Sequence, residues 1–191
     1  MIDLKPAEKS RITKLFGDWQ DLVVSIQGDR YYYYIGKAVI ATDKDVLKLK
    51  PGVYKNTNKY PLSDYLSELI DRLPDLIKAE TLKINTPICF LTFKQVEKVK
   101  DICQIAADLP AAKMLVASGG LRVECNNGLK GFCYHSHSIK TPVDADISYS
   151  ANRIAHVFSV CKTITFVYQT IDRYFFQSEQ STIILMKEDL R

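Results

Sequence analysis

The stretch LTFKQVEKVKDIC, which runs from Leu91 to Cys103, repeats a pattern that begins at Leu4. Both stretches place apolar residues at three- and four-residue spacing, which is typical of an amphipathic helix. The matching pairs, each displaced by 87 positions, are Leu4 and Leu91, Ile12 and Val99, and Leu15 and Ile102. A fixed displacement of this kind predicts an internal duplication of the fold.

A second pair of predicted helices has nearly the same displacement. Residues 61–73 and residues 150–161 each carry one apolar stripe, and Leu66 and Ile154 lie 88 positions apart. Ser63 and Ser150 have the hydroxyl chemistry of residues that cap helix starts. The sequence therefore predicts two similar domains, residues 1–80 and residues 81–191, each with two helices.

Strand patterns lie between the predicted helices. They cover residues 21–27, 30–35, 37–42 and 46–54 in the first half, and residues 113–117, 121–125, 131–139, 144–149, 163–169, 174–178 and 181–186 in the second. Gly28-Asp29 is typical of a hairpin turn. Strands must cover the apolar helix faces, which predicts an α+β fold. Residues 75–87 are the predicted connector between the halves, and we expect them to pair as an edge strand.

Composition sets few limits on function. The 191 residues are 47% hydrophobic and 25% charged, with a net charge of +4, and are typical of a globular protein. The apolar runs are too short to cross a bilayer, and the start lacks the pattern of a signal peptide. We therefore expect a cytoplasmic protein with no membrane partner. The five cysteines, an odd number with no C-x-x-C spacing, favour free thiols.

The second half carries a resemblance to a known family. Residues 146–158 (DISYSANRIAHVF) resemble the strand that enters the final helix of DNA sliding clamps, and residues 164–186 resemble the closing strands of that family. Residues 123–128 (VECNNG) also match a clamp strand and turn. The resemblance implies duplicated sliding-clamp domains, with helices on one face of curved antiparallel sheets. Two domains per chain imply a homotrimeric ring, and the short length implies a bacteriophage clamp.

The same resemblance implies a function without catalysis or a cofactor. A sliding clamp encircles double-stranded DNA without reading its sequence and tethers a DNA polymerase after a clamp loader has placed it. Phosphate contacts are then expected from basic residues on the helices: Lys9, Arg11, Lys14, Lys94, Lys98, Lys100, Arg153 and Lys162. Such residues are also common on any solvated helix face. The second helix does not fit a basic channel, because it presents Asp64, Glu68 and Asp71.

The resemblance also implies a docking groove for peptides of the polymerase and the loader. By position in the fold, the groove lies under residues 75–87 and beside the last strand. The residues expected to line it are Leu76, Ile77, Leu185 and Met186.

Other readings of the residues and of the function stay open. Cys125, Cys133, His135 and His137 are of the types that bind zinc, although three ligands along one strand would span roughly 14 Å. The tyrosines at positions 31–34 could stack on single-stranded bases, or they could alternate between core and surface.

A clamp-like module that binds a phage or host factor without forming a ring is the second function class, and a metal-dependent enzyme is the third.

Overall fold

The computed structural model describes residues 4–16, 19–36, 38–56, 64–84, 87, 89–105, 111–117, 120–126, 131–136, 145–149, 158–160, 165–170 and 172–186. Its helices are α1 (Pro6–Phe16), α2 (Asp64–Thr81) and α3 (Phe93–Ile105), and residues 158–160 are also helical. The strands are β1 (Asp21–Gln27), β2 (Arg30–Ile35), β3 (Ala38–Thr42), β4 (Gly52–Lys55), β5 (Cys89–Leu91), β6 (Ala111–Ala117), β7 (Gly120–Asn126), β8 (Gly131–Ser136), β9 (Ala145–Tyr149), β10 (Thr165–Gln169), β11 (Arg173–Gln177) and β12 (Ser181–Met186).

The strands form two antiparallel sheets. The larger sheet has eight strands in the order β4-β1-β2-β3-β12-β11-β10-β5, and the smaller has four in the order β8-β7-β6-β9. The pairing of β3 with β12 joins the two halves of the sequence, with Ile40 opposite Ile183. The expected α+β class with antiparallel sheets is confirmed.

One unit occurs three times in this topology. A helical segment precedes three strands in a meander: α1 before β1, β2 and β3; α3 before β6, β7 and β8; and residues 158–160 before β10, β11 and β12. In each unit a fourth strand pairs with the first strand of the meander, namely β4, β9 and β5. The displacement of 87 positions thus relates α1 to α3, which begin equivalent units.

Similar side-chain hydrogen bonds occur at the N-terminal ends of α1 and α3. At α1, Pro6 occupies the first turn, and the Lys5 N–H donates to Glu8 Oε2 at 2.7 Å. At α3, the Thr92 N–H donates to Gln95 Oε1 at 2.8 Å and the Gln95 N–H donates to Thr92 Oγ1 at 3.4 Å. The second pair of bonds is a capping box, which satisfies amides that the helix start leaves free.

The main core lies between the large sheet and the helices α1 and α3. Ile12 and Phe16 of α1 and Val96 and Val99 of α3 belong to one buried cluster with Phe158. The strand residues in that cluster alternate along each strand, as a pleated sheet requires: Leu22, Val24, Tyr33, Ile35, Tyr174, Phe176, Ile183 and Leu185. Helix α3 also contacts β7 and β8, so it lies against both sheets.

The opposite face of the large sheet is covered by α2. Leu73 and Ile77 of α2 pack on Phe175 and Ile184, and Leu66 and Leu69 pack nearer the β4 edge. Their partners on the strands, such as Val23 and Tyr32, alternate along each strand with the residues that face the main core. Helix α2 therefore departs from the expected arrangement of all helices on one face. It also lies on the other side of the sheet from Phe158, so it is not equivalent to the final predicted helix.

The first part of the connector, residues 75–81, is helical where we expected an edge strand. Helix α2 continues through Pro74 to Thr81, and residues 75–81 do not pair with any described strand. A proline inside a helix removes one hydrogen bond. Leu73 and Ile77, four positions apart and almost fully buried on either side of Pro74, offset that cost through their burial.

Candidate nucleic-acid interface and partner groove

Two basic side chains of α1 are fixed by neutral acceptors. Lys9 Nζ donates to the carbonyl of Asn56 at 2.9 Å, and Arg11 Nη1 donates to the carbonyl of Leu47 at 2.9 Å. A carbonyl does not neutralise a cation, so both side chains keep their charge while their positions are restricted. Arg11 is exposed, so its remaining donors are available to an anion.

The basic residues of α3 differ in their surroundings. Lys94 and Lys98 are exposed. Lys100 is half-buried, and its Nζ lies 2.8 Å from Glu97 Oε1, which offsets its charge. The structure therefore favours Lys94 and Lys98 over Lys100 as contacts for an anion. The side chain of Lys14 and the whole of Arg153 and Lys162 lie outside the described residues.

The acidic residues of α2 are on the other side of the sheet. Glu68, Asp71 and Asp75 are exposed, and Arg72 lies 3.8 Å from Glu68. Since α2 packs on the face opposite α1 and α3, these carboxylates do not share a surface with Lys94 and Lys98. The acidic second helix thus no longer conflicts with a basic surface on the other helices. The side chain of Asp64 lies outside the described residues.

A groove with a volume of about 190 Å³ runs between α2 and the strands β2, β3 and β12. Three of the four residues expected to line it do so, namely Leu76, Ile77 and Met186. Leu185 does not, because it is buried in the core on the opposite face of the sheet. The remaining lining is mostly apolar or aromatic and includes Tyr34, Val39, Tyr65, Leu69, Leu73 and Ile184.

Strand alternation was the signal that could have separated Leu185 from its neighbours. Ile184 and Met186 share one face of β12, and Leu185 falls on the other. The tyrosine run obeys the same rule, since Tyr33 lies in the main core whereas Tyr34 lines the groove. The run alternates between the two faces of the sheet, but neither set lies on the surface, because α2 covers the face that carries Tyr32 and Tyr34.

An ion cluster forms one end of the groove. Glu80 of α2 pairs with Arg173 of β11, and Lys83 Nζ lies 2.6 Å from Glu80 Oε1. Burial alone would raise the pKa of Glu80, but hydrogen bonds from Lys83 and Arg173 reverse the effect and lower the pKa below its ordinary value. The cluster ties the C-terminal turn of α2 to the sheet, so it helps to keep the groove in shape.

The described residues give the metal-site hypothesis little support. They contain no group of three or more potential metal ligands. Cys125 lies opposite Phe132 and Cys133 lies opposite Glu124, so the two cysteines are not cross-strand partners. His137 lies outside the described residues. Within the part of the chain that the structure describes, none of the helices has the length and apolar character needed to span a membrane.

No protein-family model and no curated protein matches the chain. Its fold, however, is similar to that of solved bacterial DNA polymerase III beta subunits. The structure from Streptococcus pyogenes aligns with a TM-score of 0.57 at 8% identity, over 96% of this chain and 62% of that one. The chain has the sliding-clamp fold.

Two further clamp structures agree. The Helicobacter pylori beta clamp, bound to a DNA ligase peptide, aligns with a TM-score of 0.57 at 10% identity over 96% of this chain and 63% of that chain. The Thermotoga maritima beta subunit aligns with a TM-score of 0.55 at 11% identity over 95% and 62%. The chain spans about three fifths of the length of these structures. At such identities the similarity establishes the fold alone.

Proposed function

We propose that this protein is a DNA sliding clamp that encircles duplex DNA and tethers a DNA polymerase, and that it has no catalytic activity of its own. One observation carries the proposal beyond the fold. Lys94 and Lys98 are exposed on the sheet face that bears α1 and α3, while the acidic residues of α2 are on the opposite face. A polyanion would be attracted to the first face and repelled by the second.

Several parts of the proposal concern assembly and setting. We propose a homotrimeric ring of a bacteriophage type that works in the cytoplasm of the host cell, built from two clamp-like domains per chain, residues 1–80 and 81–191. A heterologous interface between two different surfaces would close such a ring.

The groove between α2 and β12 is the proposed docking site for polymerase and clamp-loader peptides. Leu76, Ile77 and Met186 would contact an apolar side chain of the partner. The beta clamp of Helicobacter pylori, which shares the fold, was solved with a DNA ligase peptide bound. That complex supports peptide docking as a mode of partner binding for this chain.

Two measurements test the proposal. Light scattering across a concentration series should give a mass three times that of the 21.7 kDa chain. After loading by its own loader, the protein should stay on closed circular DNA and leave when the circle is cut, because phosphate contacts alone are too weak to retain it at physiological salt. A monomer at every concentration that still binds a polymerase peptide would instead favour a clamp-like interaction module. Equal retention on cut and closed DNA would contradict encirclement.

A further inference from the structure

The segment between β3 and β4 places lysines beside α1. Buried and exposed residues alternate in this segment, residues 46–50. Leu47 and Leu49 are buried in the main core, whereas Lys48 and Lys50 are exposed. The leucines belong to the same cluster as Ile12 of α1. The segment therefore lies on the sheet face that carries α1 and α3, with its two lysines directed away from the core.

Four hydrogen bonds hold this segment in place. The carbonyl of Leu47 accepts from Arg11 Nη1 at 2.9 Å, and the carbonyl of Lys50 accepts from the Tyr54 hydroxyl at 2.7 Å. Asp45 Oδ1 accepts from the Lys48 N–H at 2.6 Å and from the Tyr33 hydroxyl at 3.3 Å. The cations are thus carried on a restrained backbone, which lowers the entropy lost when they meet a partner.

Lys48 has an unusual backbone conformation. Its φ is 55°, in the left-handed region that glycine adopts without a steric penalty. For a lysine this conformation costs roughly 1 kcal/mol, and it persists because Asp45 and the buried leucines fix the turn. The backbone therefore does not explain why a lysine stands at position 48.

We infer that residues 46–50 form a fixed basic edge beside α1 that binds phosphates of duplex DNA. The inference rests on the proposed clamp function and extends its DNA-binding surface beyond the helices. Lysine side chains offer only donors and positive charge, so the partner must be an anion rich in acceptors. Of the exposed acids next to the segment, Asp43 pairs with Arg30 at 3.5 Å, and Asp45 is held towards the turn by two hydrogen bonds although it keeps its charge.

Duplex DNA is favoured over a short acidic peptide because the basic side chains on this face come from separate elements. Arg11 contacts the segment directly, and Lys94 and Lys98 are on the same side of the sheet. Charges on three separate elements match a long, uniform polyanion, which is how sequence-independent DNA contacts are made. A short acidic peptide would need only one of these elements.

The variants Lys48→Gly and Lys50→Gln test the inference in the full-length protein. Binding to a short fluorescein-labelled duplex is followed by anisotropy across a salt series. Each variant should lower the slope of log affinity against log salt by about 1, and Lys48→Arg should restore it. Lys48→Gly should keep or raise the melting temperature, because glycine relieves the backbone strain. Lys78→Gln, an exposed lysine on α2, is the matched control and should bind as wild type.

The outcomes separate this inference from the proposed function. Wild-type slopes for both loop variants, together with weaker binding by Lys94→Glu, would overturn the loop contact and leave the clamp proposal standing. No binding of the duplex by wild type at low salt would overturn the loop contact, whereas the clamp proposal is decided by retention on closed against cut circles. Tighter binding of a poly-glutamate peptide than of duplex, lost in Lys48→Gly, would overturn the DNA assignment in favour of an acidic partner.

Discussion

Replacing Leu73 with alanine tests whether α2 is anchored on the sheet face opposite α1 and α3. Leu73 is 1% exposed and belongs to a buried cluster with Phe175 and Ile184. The change removes three carbon atoms from a closed site, a transfer term of about 2.4 kcal/mol at 0.8 kcal/mol per group. The cavity left behind adds to this, so the expected loss is about 3 kcal/mol of the free energy of unfolding.

Leu76→Ala provides the matched control on the same helix. Leu76 is 37% exposed and faces the groove, so its truncation should cost about 1 kcal/mol or less. Urea denaturation of both variants, monitored by circular dichroism, measures the difference. For a chain of this size we expect Leu73→Ala to melt roughly 6 to 12 °C below wild type. Leu76→Ala should instead weaken binding of a polymerase peptide.

The same pair of variants can refute the placement of α2. Equal stability losses at positions 73 and 76 would mean that the helix does not bury the face bearing Leu73. Hydrogen exchange adds a local measurement, because Leu73→Ala should accelerate exchange in residues 64–81 more than in β11 and β12. Uniform acceleration would indicate that α2 and the sheet open only together.

Three further predictions concern the lysines of α3, the Glu80 ion cluster and the turn at Gly28. The double variant Lys94→Glu, Lys98→Glu should bind duplex DNA more weakly and with a smaller salt dependence, as measured by fluorescence anisotropy, whereas Lys78→Glu on α2 should bind as wild type. Equal effects of the two changes would remove α3 from the DNA surface. Glu80→Gln should lose about 1 to 2 kcal/mol of unfolding free energy at neutral pH. Because the pKa of Glu80 is lowered in the folded state, its contribution to the free energy of unfolding is complete above the unfolded pKa of about 4.3 and is lost as the pH falls through the folded pKa. The unfolding free energies of wild type and variant, measured by urea titration, should therefore converge in acid. A difference that does not change with pH would contradict the pKa shift. Gly28→Ala should lower the free energy of unfolding by about 1 kcal/mol because φ at Gly28 is 59°, while the added carbon meets no neighbouring atom and so adds no clash. Gly28→Asn should recover part of this loss in thermal melts. An alanine variant as stable as wild type would argue against the turn conformation.

Strand positions were predictable where alternation and turn chemistry agreed. β1, β2 and β12 have the bounds expected from the sequence, and Gln27 faces Arg30 across the Gly28-Asp29 turn. The expected strand at 46–54 shortened to β4 because Asp45 binds the Lys48 N–H, and residues 46–51 form a loop. Side chains that bond to the local backbone compete with strand pairing, which apolar patterns do not reveal.

The face on which α2 packs was not predicted, although the sequence contains a signal for it. Leu22-Val23-Val24 and Ile183-Ile184-Leu185 are unbroken apolar runs in which both faces of the strand are buried. A sheet with one solvated face shows alternation, whereas unbroken runs are typical of strands covered on both sides. A helix was therefore required on the second face, and α2 is the described helix with a free apolar stripe to supply it.

This position of α2 changes what the charges of the helices mean. Taken along the sequence, Glu68 and Asp71 contradict a DNA surface that includes Lys94 and Lys98. In the fold, the sheet separates the two sets, so the carboxylates cannot reduce the attraction of the basic face through contact. They lie instead on the helix that forms one wall of the groove, where they would repel DNA and favour a partner segment with basic residues next to its apolar anchor. A peptide series that varies only those flanking charges should therefore bind more tightly as lysines replace glutamates, and a flat series would show that the acidic residues of α2 take no part in partner selection.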